Sequence, residues 1–152
     1  FTGLRPGAPC GKISGPLWRS DLGLGYEPVS IYAAGFLDAE PDFDAIKRDA
    51  LGRAEISARA PALTFWAAFF GLAKSDQIRL EIRDPQGQIL SDRDITQERD
   101  RARQFYYVGR RLKSVELSPG AYTGIARISR EVPGGAAMKR QVRRELKITA
   151  SE

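Results

Sequence analysis

The stretch Gln77 to Arg83 constrains this chain more than any other. Ile78, Leu80 and Ile82 alternate with Gln77, Arg79, Glu81 and Arg83. That period of two cannot lie on one face of a helix, so it predicts a strand with one face in a core and the other in water. Asp84-Pro85-Gln86-Gly87 follows, with proline second and glycine fourth in a four-residue turn, and Gln88 to Leu90 can return beside the strand. A hairpin with one apolar face is not stable alone and needs a second layer to cover it.

The rest of the sequence offers that layer in the same style. Leu63 to Phe70 is an almost continuous apolar run rich in aromatics, the pattern of a strand buried on both faces or covered at its ends. Val29 to Phe36 reads as a first strand after Pro28. Arg103 to Val108 has β character, Val115 to Leu117 reads as a short edge piece, and Tyr122 to Arg130 alternates after the turn at Ser118-Pro119-Gly120. A last strand carries Val142, Leu146 and Ile148 on one face, with Arg144 as a misfit of the same parity. Ser91 to Asp100 is polar and charged and reads as a connecting loop. Helix is confined to one or two turns near Phe43 and Ile46, with Asp38, Glu40, Asp42 and Asp44 at the start and Lys47 and Arg48 at the end, as the helix dipole favours.

Strands spaced about ten residues apart, separated by Pro/Gly turns, predict an all-β fold. The expected fold is an antiparallel β-sandwich, immunoglobulin- or fibronectin-like, of about seven strands with one short helix. Leu63, Phe65, Phe69, Ile78, Leu80, Ile82, Tyr122 and Ile128 are expected to share its core. Residues 1–28 hold four of the nine prolines and read as an extended arm anchored by Leu17, Trp18 and Tyr26, leaving 29–152 as the sandwich domain. The chain of 152 residues is about the size of one domain.

Composition removes much chemistry. There is no histidine and one cysteine, Cys10, so imidazole and thiolate zinc sites, Ser/His/Asp triads and Cys/His dyads cannot be assembled within the chain. No catalytic residue, metal ligand or cofactor site is assigned, and the chain is expected not to be an enzyme. Gly23-Leu24-Gly25 lacks a third glycine and opens no helix, so it is a poor phosphate loop. The acids from Asp38 to Asp44 alternate as calcium ligands do, but Pro41 interrupts them, and a helix cap is the better reading. Asp92, Asp94, Glu98 and Asp100 are the one source of a carboxylate pair, for a hydrolase working by acid–base chemistry alone, yet arginines are mixed among them. Ala60 to Ala73, the longest nearly apolar stretch, is fourteen residues, short of the roughly 18 to 20 that span a bilayer, so no membrane span is expected.

Charge is the remaining lead. Residues 1–76 carry 8 basic and 9 acidic side chains, whereas residues 77–152 carry 16 and 10, a sum of +6. Eighteen of the 24 cations are arginine, which suits planar recognition of carboxylate or phosphate. Arg99, Arg101 and Arg103 share a face if their segment is extended and are the candidate partner-binding residues. A solvated strand face is the first reading of this charge, an anionic envelope or protein partner the second, and nucleic acid the third.

Several ordered segments resemble the region that follows the catalytic domain in alphaproteobacterial zinc endopeptidases of the lysostaphin type, which cut peptidoglycan cross-bridges. They are GPLW at 15–18, AAGFLD at 33–38, FFGLAKSDQIRLEIRDPQGQIL at 69–90, DRARQFYYVGRR at 100–111 and SPGAYTGIARISR at 118–130. The resemblance implies a non-catalytic accessory module of a murein-hydrolase system, located in the periplasm or cell envelope. Its partners would be peptidoglycan, a hydrolase catalytic domain or a regulator. The catalytic domains of that family bind zinc through HxxxD and HxH segments, which a chain without histidine cannot contain. No signal peptide is readable from Phe1 onward, so the envelope placement comes from the resemblance alone. An arginine-rich polyanion or nucleic-acid binder is the alternative function.

Overall fold

A computed structural model describes residues 27–48 and 52–151; the arm with Leu17, Trp18 and Tyr26, Cys10 and the Gly23-Leu24-Gly25 segment lie outside them. In chain order the elements are β1 (Ser30–Leu37), α1 (Phe43–Arg48), β2 (Glu55–Ser57), β3 (Ala62–Leu72), β4 (Gln77–Arg83), β5 (Ile89–Thr96), β6 (Arg101–Arg111), β7 (Gly120–Arg130) and β8 (Met138–Thr149). They form two sheets, one of order β1-β3-β6 and one of order β2-β8-β7-β4-β5. The sheets face each other as a sandwich and do not close into a barrel, which is the fold class expected.

All eight residues expected in the core belong to one buried cluster between the sheets. The period-two pattern of β4 supplies Ile78, Leu80 and Ile82 from the larger sheet, and β3 supplies Leu63, Phe65 and Phe69 from the smaller. Phe36 and Phe65 meet with ring centroids 5.1 Å apart. The other side of β3 is also covered. Trp66 and Ala68 are buried with Ile46 of α1, beside Phe105 and Tyr107, so the apolar run of β3 is explained by burial on both faces. At the end of this strand Gly71 adopts a φ of 74°, and a Cβ there would stand 2.1 Å from the carbonyl oxygen of Pro28. Only glycine fits that crossing.

The expected turn after β4 is present. The Asp84 carbonyl accepts from the Gly87 N–H at 3.0 Å, and its carboxylate accepts from the N–H of Gln86 and of Gln88. Tyr122 donates its hydroxyl to the Ser118 carbonyl at 3.0 Å, pinning the turn before β7. Asp42 accepts from the Asp44 N–H at the start of α1, the cap expected of that acidic run.

Four expectations need correction. Ser91 to Thr96 is not a loop but most of β5, paired to β4 from Thr96 opposite Gln77 to Ser91 opposite Ile82. A strand at the edge of a sheet, paired along one side only, can carry charge on an exposed face, and hydropathy then gives no signal. Val115 to Leu117 is no strand; Leu117 is buried and its N–H bonds the Ala58 carbonyl at 3.0 Å. The sheets are not wholly antiparallel, because β2, which was not foreseen at three residues, pairs in parallel with β8. Finally, the outer face of β4 is not simply wet, since Glu81 on that face is 1% exposed.

The seam between the sheets on the β5 side is made by side chains. Arg93 donates to the Tyr107 carbonyl at 3.1 Å, and Tyr106 donates its hydroxyl to the Gln97 amide oxygen at 2.8 Å. On the opposite side β8 is bordered by β2 only at its far end, from Lys147 to Thr149.

Candidate functional site

The outer face of the five-stranded sheet carries most of the organised charge. Register sets Arg79 opposite Asp94 on one side and opposite Arg127 on the other, while Glu81 stands opposite Asp92 and Ile125. Arg79 uses its whole guanidinium: Nε to Glu81 at 3.2 Å, Nη2 to Asp92 at 3.0 Å and Nη1 to Asp94 at 2.7 Å. Glu81 also accepts from Arg83 Nε at 2.8 Å and lies 3.3 Å from Arg127 Nη1. Three arginines thus surround one buried carboxylate. Burial pushes the Glu81 carboxyl up, but the hydrogen bond from Arg83, the charge of Arg127 and the bond from Arg79 more than offset it and hold it below the usual range. The Asp94 hydrogen bond, against desolvation, and the bond to Glu81 hold the Arg79 guanidinium above its ordinary value.

Beside this cluster runs an open groove of about 530 Å³, within the span of about 300 to 1,000 Å³ typical of small-ligand sites. Gln77, Arg79, Arg127 and Ser129 line it, with Ile78 and Ile128 between them, and Lys139, Arg140 and Gln141 line it at the start of β8. Gln141 accepts from Arg127 Nε at 2.9 Å, so two partners fix that guanidinium before any ligand arrives. Arg140 reaches Glu27 at 3.5 Å. Lys139 has no ion pair among the described residues and is exposed. Asp94 is the acid in the lining, and it is already held by Arg79. The groove therefore presents positive charge with hydrogen-bond donors, the arrangement that receives an anionic group.

The residues singled out from sequence lie elsewhere. Arg99 stands in the bend between β5 and β6, whereas Arg101 and Arg103 are on β6. Arg101 and Arg103 face the outside of the smaller sheet, opposite Leu72 and Phe70. Arg99 and Arg101 line a shallow depression with Gln97 and Glu98, and Arg103 does not join it. The three are not one row, because Gln97 binds the Arg99 carbonyl through its amide and bends the chain there. Of the four acids, Asp92 and Asp94 are ion-paired to Arg79, Asp100 accepts from the Lys74 N–H at 2.8 Å, and Glu98 is exposed. Of the groove residues, Lys139 and Arg140 were counted from sequence only within the basic C-terminal half, and Arg127 and Gln141 were not picked out. The signal for Arg127, Lys139 and Gln141 was the shared parity of two strands already read as strands, which register alone brings together, whereas Arg140 has the opposite parity.

Neither a protein-family model nor a curated protein sequence matches this chain. A likeness in solved structures does exist. The crystal structure of the C-terminal domain of Wzt superposes with a TM-score of 0.50 at 16% identity, covering 84% of this chain and 77% of that one. The likeness is one of fold, and it supports the two-sheet architecture independently of the strand pattern. Among the described residues no helix is long and apolar enough to cross a membrane.

Proposed function

We propose that this domain is a non-catalytic binding module of the bacterial cell envelope, working beside a peptidoglycan hydrolase and holding an anionic partner in the groove of the five-stranded sheet. The observation that carries it is the pairing of a fixed guanidinium, Arg127, with a cation of no described partner, Lys139, across one groove. The ordered segments similar to the accessory region of lysostaphin-type endopeptidases support the envelope assignment. Four of them fall on the frame of the sandwich: residues 33–38 on β1, 69–90 on the end of β3 through β4, 100–111 on β6 and 118–130 on β7. The absence of histidine supports a binding rather than a hydrolytic role. Peptidoglycan, whose stem peptides carry carboxylates, or an acidic surface of a hydrolase or regulator are the partners of matching charge.

Retention on purified sacculi tests this reading. The protein is expected to sediment with sacculi, to be released as salt rises, and to lose retention in Lys139→Gln. Absence of sedimentation at low salt refutes it. A second reading, binding of nucleic acid, has one observation in favour: Arg103 lies opposite the half-exposed Phe70, a cation beside a stacking surface. A shift assay with single-stranded nucleic acid that responds to Phe70→Ala and not to Lys139→Gln would favour it.

A further inference from the structure

The groove ends on a sheet edge. The parallel strand β2 covers β8 only from Lys147 to Thr149, so among the described residues Met138 to Leu146 has no paired strand on that side. The Lys147 N–H points away from β7 and bonds the Ala54 carbonyl at 3.0 Å. By the two-residue alternation of a strand, the backbone N–H and C=O groups of Lys139, Gln141, Arg143 and Glu145 point the same way, away from β7, where they meet no paired strand among the described residues. Such an edge invites any extended chain to pair with it.

This edge is not simply bare. Arg140 donates Nη1 to the Lys139 carbonyl at 3.0 Å, and Arg144 donates Nη1 to the Arg143 carbonyl at 3.0 Å. Two outward carbonyls are therefore capped by the guanidinium of the next residue. Arg144, the misfit in the core parity of β8, is exposed because its side chain turns over the edge to make this bond. Cations flank the edge on both faces: Lys139 and Arg143 on the outer, Arg140 and Arg144 on the inner. The chain's own Glu27 already engages Arg140 at 3.5 Å, which shows the charge chemistry the edge accepts.

We infer that the Met138–Glu145 edge of β8 is a charge-gated docking site for an acidic extended peptide segment of a partner protein, which pairs with the strand by β-addition. A neutral strand finds two carbonyls occupied and has nothing to offer the guanidiniums. An acidic strand draws Arg140 and Arg144 onto its carboxylates and frees the carbonyls for its own N–H groups. Alternating side chains of the added strand meet a cation whichever face they take. This inference concerns an edge rather than the groove ligand and stands whether or not sacculi bind.

The test uses the full chain and a labelled peptide of about seven residues, alternating glutamate with threonine or valine, against the same peptide with glutamine for glutamate. Anisotropy is expected to show saturable binding of the acidic peptide, at least about tenfold tighter than the glutamine peptide. Hydrogen exchange should slow at the amides of Gln141, Arg143 and Glu145 on binding. The double variant Arg140→Gln/Arg144→Gln keeps its sheet, since neither side chain is in the core, and should lose about tenfold in affinity for the acidic peptide. Glu27→Gln should tighten binding by removing a competitor for Arg140. Lack of saturable binding overturns the inference. So does binding without slowed exchange at those amides, which marks diffuse attraction, or binding unaffected by the double variant.

Discussion

Asp76→Ala is the substitution whose cost the structure fixes best. Asp76 is 1% exposed in the turn between β3 and β4. Its carboxylate receives Arg130 Nε at 2.7 Å and Nη2 at 2.6 Å, a two-pronged pair from the end of β7, and also the Ala73 N–H at 2.8 Å. Arg130 in turn donates to the Gly71 carbonyl at 2.8 Å, so this one pair fixes the turn that joins the two sheets. Three hydrogen bonds to a charged group at about 1.5 to 3 kcal/mol each sum to more than such sites lose, because the contributions are not additive. Removing one partner of a buried pair costs about 3 to 5 kcal/mol, chiefly from the charge left behind. For a domain of this size each kcal/mol moves the melting temperature by about 2 to 4 °C, so a fall of roughly 6 to 20 °C is expected. Calorimetry and urea unfolding of Asp76→Ala, Arg130→Ala and the double variant measure it, with the double costing less than the sum of the singles. A fall of less than about 2 °C in Asp76→Ala, or strictly additive singles, refutes the reasoning.

Three further outcomes are expected. Glu81 is held below its usual range by its arginines, so its contribution is present above the unfolded carboxylate value of about 4.3 and is lost as pH falls through the lower folded value. Glu81→Gln should accordingly be less stable by about 2 to 3 kcal/mol near neutral pH, below the range for fully buried pairs because the arginines are about a third or more exposed, and the difference should shrink below about pH 4 in chemical denaturation. Leu80→Ala, at a fully buried position, should cost about 2 to 5 kcal/mol by urea midpoint. Gly124→Ala would put a Cβ 2.3 Å from the Phe65 ring across the core and should cost about 1 to 3 kcal/mol, with Phe65→Leu in the same chain recovering part of the loss in a thermal melt.

The fold was readable because the core writes its pattern directly into sequence. Ile78, Leu80 and Ile82 alternate because one face of β4 is buried, and β3 is continuous because Phe65 and Phe69 face one side and Trp66 and Ala68 the other. β5 left little such trace: its central residues Asp92, Arg93 and Asp94 are exposed, two of them ion-paired to Arg79, and Leu90 and Ile95 near its ends are its contacts with the core. β2 escaped notice because three residues are too few to show a period. The site was less legible for a related reason. Arg79, Arg127 and Gln141 are 14 to 62 residues apart in the chain and meet only through the pairings of β4 with β7 and of β7 with β8. Glu81 looked like one more wet position because burial by arginines rather than by apolar groups has no hydropathy signature. Arg99, Arg101 and Arg103 drew attention by spacing alone, and a side-chain bond from Gln97 was enough to break their row.

The strand order also bears on how the chain assembles in time. The larger sheet contains two hairpins, β4 with β5 and β7 with β8, whose partners are near in sequence and can close early. The smaller sheet contains none. Its pairs join Phe36 to Phe65 and Trp66 to Tyr107, each closing a long stretch of chain before any contact compensates the lost entropy. Domains dominated by such distant pairings fold in about milliseconds to seconds, slowly for their size. The three-stranded sheet is thus expected to be the last part to form, and Trp66 at its centre is shielded only then. Until that step the inner faces of β4 and β7 have no opposite layer, and during this interval the apolar residues Ile78, Leu80 and Ile128 are open to a neighbouring chain. The guanidinium caps on β8 would already be in place by then, because each links adjacent residues of one strand. They would guard the edge of the early sheet throughout the wait for its partner.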